Sequence, residues 1–197
     1  QPQYIASITG VAGTYHGSKV ADDIQNNRLT RTAFNILGDY IIGPLIALGQ
    51  FKPELEIDFD ASMKSLTQTG SNTFNATVAQ QVVKDGVLAS TENCNKNLKQ
   101  KDSKGIHYYS WTGVAQATNA LDIDTILMQL GPLSYGSKDN DGMVSRCSAF
   151  MGKVIHDQYK LNHTDLANMM FGLKGMFAPD PVALYRQHAN RLKLEGL

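Results

Sequence analysis

The stretch YIASITGVAGTYHGSKVADDIQN, residues 4–26, decides the fold class. Residues 4–13 alternate, are rich in β-formers, and break at Gly10 and Gly13, which reads as a buried strand running into a loop. The loop GTYHGSKVAD reaches Ser18, whose hydroxyl suits the N-cap of a helix over KVADDIQN. A strand followed by a helix, not by a hairpin, belongs to α/β architecture. The stretch GIHYYSWTG, 105–113, repeats the strand signal, aromatic and bounded by Gly, and ALDIDTILMQLG after it reads as a short helix. The end, DPVALYRQHANRLKLEGL, is a signed helix with Asp180 as cap, Pro181 in its first turn and Gly196 beyond its stop. The expectation is an α/β sheet with helices on its faces, in one domain over 1–197. Two or three strands are visible, fewer than a complete sheet of this class uses, so the sequence reads as beginning in mid-fold.

Composition narrows the function. Eighteen Lys and Arg balance eighteen Asp and Glu, so no basic excess points to nucleic acid. A hydrophobic content of 42% suits a folded globular domain and argues against disorder. No run approaches the ~18 unbroken apolar residues of a membrane span, and IIGPLIALGQF from Ile41 is interrupted by Pro and Gly. The opening QPQYIASITG carries no basic region and no apolar run of the secretory kind. Cys94 and Cys147 are either two buried thiols or one bridge. A bridge would be worth roughly 4 kcal/mol in the chain-entropy model.

Between these landmarks, 30–50 has weak helical periodicity and reads either as a buried core helix or as a mobile amphipathic one over a pocket. DASMKSLTQTGSNTFNATV gives short helical pieces capped at Asp60 and Thr67, and 84–104 a long polar surface loop. HTDLANMMFGL is amphipathic, with Leu166, Met169, Met170 and Leu173 apolar.

The chemistry concentrates in DNDGMVSRCSAFMGKVIHDQYKLNHTDL, 139–166. Of five His, four read as structural or surface residues. His163 differs because it lies in the polar break KLNHTD before a helix, where a loop on a rigid scaffold can present its ring. A base of this kind needs a carboxylate on its far ring nitrogen, and Asp141 in the NDG turn precedes it in the Asp-then-His order of α/β-hydrolases. Asp122 and Asp165 read as acids near helix N-termini, or as carboxylate ligands of a hard cation such as Ca²⁺. DNDG lacks the remaining ligands of an EF-hand loop.

Taken together, NDGMVSRCS, LNHTD, DPVALYRQHANRLK, HYYSWTG and ALDIDT closely resemble the secreted bacterial triacylglycerol lipases of the Pseudomonas, Burkholderia and Acinetobacter type. IASITGVAGTYHGSKVAD is similar to the segment that follows their nucleophile helix, so the resemblance covers the whole chain, most weakly from 25 to 104. It implies the C-terminal two thirds of an α/β-hydrolase that cleaves acylglycerols. By motif, Asp141 matches the triad acid and His163 the triad base. Asp122 and Asp165 match the carboxylate ligands of a structural Ca²⁺, with the carbonyls of Met169 and Leu173 completing the set. LDI stands here where the family reads LDP, and Met169 where Gln is common. Cys94 and Cys147 match the family's single disulfide, and with it a secreted, extracellular location reached through the periplasm. Residues 28–60 resemble the lid, which favours the mobile reading of the apolar segment. A lipase-specific foldase chaperone is an expected partner.

One family element is missing. The nucleophile sits in a Gly-His-Ser-x-Gly elbow, and HGSKV, TGSNT and YGSKD all lack the second Gly at the right spacing. The nucleophile Ser is therefore expected outside this chain, about a dozen positions before Gln1, so the chain alone is expected to be inactive. Rival expectations are a non-catalytic calcium- or lipid-binding module and a short-chain esterase.

Overall fold

Three strands form the frame, and they are all parallel: β1 (Ser7–Val11), β2 (His107–Gly113) and β3 (Lys153–Tyr159), in the order β1-β2-β3. This computed structural model describes residues 4–35, 58–119, 124–169 and 172–197. The helices are α1 (Lys19–Asn26), α2 (Phe59–Leu66), α3 (Gln68–Thr77), α4 (Gln80–Lys84), α5 (Asp124–Leu127), α6 (Leu130–Tyr135), α7 (His163–Leu166) and α8 (Pro181–Leu194). Residues 28–35 are also helical. The sheet-with-helices expectation holds.

The central strand β2 is buried on both faces, as parallel strands between two layers are. Its side chains alternate. Tyr109 and Trp111 face α8, where the His188 ring sits 5.0 Å and 5.2 Å from theirs, edge-on, and Tyr185 sits 5.5 Å from Trp111. Tyr108 faces the other way, into a cluster with Val87, Ile106 and Met151. On the α8 side, Trp111 packs with Ala12, Leu161, Leu166 and Ala178. His188 is held as a structural residue: its Nε2 lies 2.7 Å from the Thr9 hydroxyl and its Nδ1 2.9 Å from Arg191.

Local chemistry places the helices. Ser18 caps α1 and accepts the Ala21 N–H at 3.3 Å. Thr67 caps α3 as its sequence promises, but α2 is capped by Asp58, not Asp60. Asp58 has the extended backbone a cap requires and accepts the Ala61 N–H at 2.9 Å, whereas Asp60 already lies inside the helix. Asp180 and Pro181 start α8 as expected.

Two expectations need correction. The amphipathic pattern of HTDLANMMFGL gives a helix of four residues only, because Asn168 turns into the left-handed region at φ +54 and stops it. Met169 lies beyond that stop and packs beside Leu127 and Met128. Strand β3 escapes the sequence pattern, since His156, Asp157 and Gln158 interrupt its apolar alternation. Charged and half-exposed residues are usual on such strands at the side of a sheet. Of the lid expected over 28–60, 36–57 lies outside the described residues. Within the described residues no helix is long and apolar enough to cross a membrane. Cys94 and Cys147 form the disulfide, their Cα atoms 4.9 Å apart across 53 positions of sequence.

Candidate active site

Parallel strands bring their C-terminal ends to one edge, and two segments with polar, buried side chains meet there. The first is the turn Asp139–Arg146, closed by the Asn140–Ser145 bridge and by the Arg146 N–H donating to the Asp139 carbonyl at 3.0 Å. At its tip Asp141 is fully buried. One oxygen of its carboxylate, Oδ1, accepts the N–H groups of Met143 at 3.0 Å and Val144 at 2.8 Å. Gly142 makes this possible: its φ of +101 belongs to glycine, and a Cβ there would run into Met128. Asn140, also fully buried, accepts the Gly142 N–H at 2.9 Å and donates to the Ser137 carbonyl at 2.8 Å.

The second segment follows β3. Asn162 caps α7 in a reciprocal capping box: its Oδ1 accepts the Asp165 N–H at 2.8 Å, and the Asp165 carboxylate accepts the Asn162 N–H at 3.1 Å. This fixes His163, the first helical residue, so that its Nδ1 lies 2.9 Å from Asp141 Oδ2 while its own N–H donates to the Asp141 carbonyl at 2.8 Å. With Asp141 as the acceptor, Nδ1 carries the proton and Nε2 is left to take one. Burial by itself pushes the imidazole down, but the charge and hydrogen bond of Asp141 outweigh it and hold the His163 pKa above the ordinary histidine value.

His163 also lines an apolar cavity of about 240 Å³. Its walls include Ile24, Phe34, Met63, Leu127 and Met128. Ser18 lines it too, but its hydroxyl donates to the Met143 carbonyl at 2.5 Å and accepts the Ala21 N–H of α1, the work of a helix cap. Among the described residues no serine hydroxyl hydrogen-bonds to the His163 ring.

The sequence-predicted acid and base are therefore together. Of the residues expected to ligate a cation, Asp165 is buried, Met169 and Leu173 follow it in sequence, and Asp122 lies outside the described residues. Among the described residues no group of three His, Cys, Asp or Glu could hold a metal ion. Sequence reasoning missed Asp124. It is fully buried and accepts the Asn162 amide at 3.3 Å, which puts a second buried carboxylate on the asparagine that already binds Asp165. The signal available was the repeated acid in LDIDT. It also missed Arg146 and Asp157, whose ion pair ties the first segment to β3 at 2.6 Å.

A parallel sheet whose C-terminal edge carries a buried Asp hydrogen-bonded to a His beside an apolar cavity defines the class, an α/β-hydrolase. Comparison with known proteins gives the family. A triacylglycerol lipase of Vibrio cholerae is 38% identical over 203 aligned residues, covering all of this chain and 61% of the relative. A triacylglycerol lipase of Pseudomonas fragi is 32% identical, with all of this chain and 67% of the relative covered. One of Burkholderia plantarii is 29% identical, with 61% of its length covered. The chain belongs to the bacterial triacylglycerol lipase family, and it spans about 61% of the length of the Vibrio cholerae relative. No family model matches it. Among solved structures, a metagenomic carboxyl esterase covers 82% of this chain and 37% of its own, at 15% identity and a TM-score of 0.44.

Proposed function

We propose that this chain supplies the acid and base of a serine ester hydrolase acting on triacylglycerols, with Asp141 as triad acid and His163 as triad base. The observation that carries the reading is the 2.9 Å contact between Asp141 and His163 Nδ1 at the wall of an apolar cavity. In the reaction His163 Nε2 takes the proton of a serine hydroxyl as its oxygen attacks the ester carbonyl. The same nitrogen then returns that proton to the leaving alcohol, and an acyl-enzyme remains. Water, deprotonated by His163, cleaves the acyl-enzyme and releases the fatty acid. Asp141 fixes the tautomer and stabilises the imidazolium throughout. The apolar cavity suits an acyl chain because its described lining offers methylene contacts and, among those residues, no ionisable side chain but His163.

The nucleophile belongs, in this reading, to a Gly-x-Ser-x-Gly elbow in a segment that precedes Gln1. Support comes from the absence of that motif here and from the greater length of the relatives. Residues 28–60 would act as the lid. Secretion through the periplasm and maturation by a foldase chaperone are part of the same proposal, favoured by the Cys94–Cys147 disulfide.

A structural Ca²⁺ completes it. Asp165 and Asp122 would hold the ion with the carbonyls of Met169 and Leu173, an all-oxygen set that suits a hard cation. The fit rests on Asp165, a carboxylate buried at 1% exposure two positions from His163. Such an ion would supply only positive charge and rigidity; the loop bearing the base is what it would steady.

The test is hydrolysis of emulsified triacylglycerol by the full-length protein. His163→Ala should reduce turnover to background, and residues 1–197 alone should also read at background. Undiminished turnover by His163→Ala would remove His163 from the chemistry.

A further inference from the structure

The acid and base of the site sit on separate segments, and something must hold the two in register. The turn Asp139–Arg146 carries Asp141, and the chain leaving β3 carries His163. Arg146 touches the turn and β3, the strand from which that chain leaves. Its Nε donates to Asp139 Oδ1 at 2.7 Å, across the base of the turn, and its Nη1 donates to Asp157 Oδ2 on β3 at 2.6 Å. Asp139 lies two residues before Asp141, and Asp157 six before His163. We propose that Arg146 is a positioning residue for the acid–base pair, a clamp that sets the turn of Asp141 against the strand that delivers His163. This rests on reading Asp141 and His163 as a working pair.

The side chains are suited to that role. Arg146 is 17% exposed and Asp157 7%, so the pair between them is shielded from solvent screening. The charges balance locally: Asp139 and Asp157 face Arg146 and Lys96, and Lys96 meets Asp157 at 2.8 Å. Arg146 and Lys96 both stand 5.9 Å from the centre of the buried Phe150 ring, whose face backs the cluster. Two carboxylates on different segments need donors fixed at an angle. The planar guanidinium offers that fork and the single ammonium of a lysine does not.

The clamp touches the disulfide, with Arg146 Nη2 4.0 Å from Cys94 Sγ, but the turn has ties that do not need the guanidinium. Cys147, next in sequence, is bonded to Cys94, Glu92 hydrogen-bonds Ser145, and the backbone bond from Arg146 to Asp139 survives any change of side chain. Removing the guanidinium leaves those ties in place and frees the aim of Asp141.

The experiment compares Arg146→Gln, Arg146→Lys and Asp141→Asn in the full-length protein, with active sites counted by a covalent phosphonate probe. Arg146→Gln should lower kcat about 10-fold or more, the scale of a small misplacement of a catalytic group. It should leave KM little changed. Arg146→Lys should recover part of kcat. In an Asp141→Asn background Arg146→Gln should add nothing, since the clamp acts through Asp141. A loss additive to that of Asp141→Asn would overturn the proposal and leave Arg146 as scaffold. Should Arg146→Gln fail to fold, Asp139→Asn and Asp157→Asn each cut one arm of the clamp and face the same additivity test. The NMR signal of the His163 Nδ1 proton, read at one fixed pH, reports its hydrogen bond to Asp141 and needs no turnover; Arg146→Gln should shift or broaden it, and an unchanged signal would overturn the proposal. It decides the clamp even if the wild-type protein hydrolyses nothing, an outcome that would instead sink the hydrolase reading.

Discussion

The two sides of His163 are built on opposite principles. Toward Asp141, Asn162 and Asp165, hydrogen bonds of 2.8 to 3.1 Å tie buried side chains to backbone in a closed circuit. Toward the cavity, the described wall is mostly apolar, with Met63, Met128, Phe34 and Ile24 in it. The difference suits the two tasks proposed for the site. Proton transfer tolerates little displacement, so its groups are located by directional contacts. An acyl chain has no direction to read, and unbranched, polarizable methionine side chains can adapt to it.

Breaking the polar side should cost most. Asp141→Asn keeps the shape but lets His163 take the wrong tautomer, and in a well-studied serine protease the same change costs about 10⁴-fold in kcat. A loss of that order in the full-length protein, with the acid limb of kcat/KM moved down because the Asp141 charge no longer raises the His163 pKa, is the outcome to measure. A wild-type acid limb below the ordinary histidine value would contradict the direction argued here.

The next effect is on stability. Replacing both Cys94 and Cys147 by Ser should lower the unfolding free energy by about 4 kcal/mol, read from denaturant midpoints, since the bridge closes 53 positions of chain. Gly142→Ala follows at roughly 1–3 kcal/mol, from the strain at φ +101 and contact with Met128. It should depress kcat more than KM, because it acts on the polar side. On the apolar side, Met63→Leu should change stability by less than about 1.5 kcal/mol and move only the chain-length profile of hydrolysis. A large fall in kcat from that substitution would erase the contrast between the two sides.

Acid should also act through the polar side. Burial raises the Asp157 carboxyl, but hydrogen bonds and charge from Lys96 and Arg146 outweigh this and hold its pKa below the ordinary value. A depressed carboxylate contributes stability that is present above its unfolded pKa, about 3.9, and is lost as pH falls through the folded value. Asp157→Asn should therefore flatten the acid end of the stability curve, measured by thermal melts from pH 6 downward.

Much of this was readable in one dimension. Strands β1 and β2, the caps Ser18, Thr67 and Asp180, and the glycine turn after Asp141 are local, because a cap or a turn is decided by residues within four positions. Order and spacing only hint at the pairing of Asp141 with His163, which the family resemblance implies, and the fold places them 2.9 Å apart. Strand β3 was not readable, since its polar residues are explained by partners elsewhere: Asp157 by Arg146 and Lys96. Nor was Asp124, whose burial depends on Asn162, 38 positions away.

By itself, then, the sequence determined which residues could cap, turn and titrate, because those properties belong to a side chain and its immediate neighbours. Which of them meet was decided only by the tertiary structure. Parallel pairing of β1, β2 and β3 puts three loop-bearing ends on one edge, and charges distant in sequence become partners there once water is excluded.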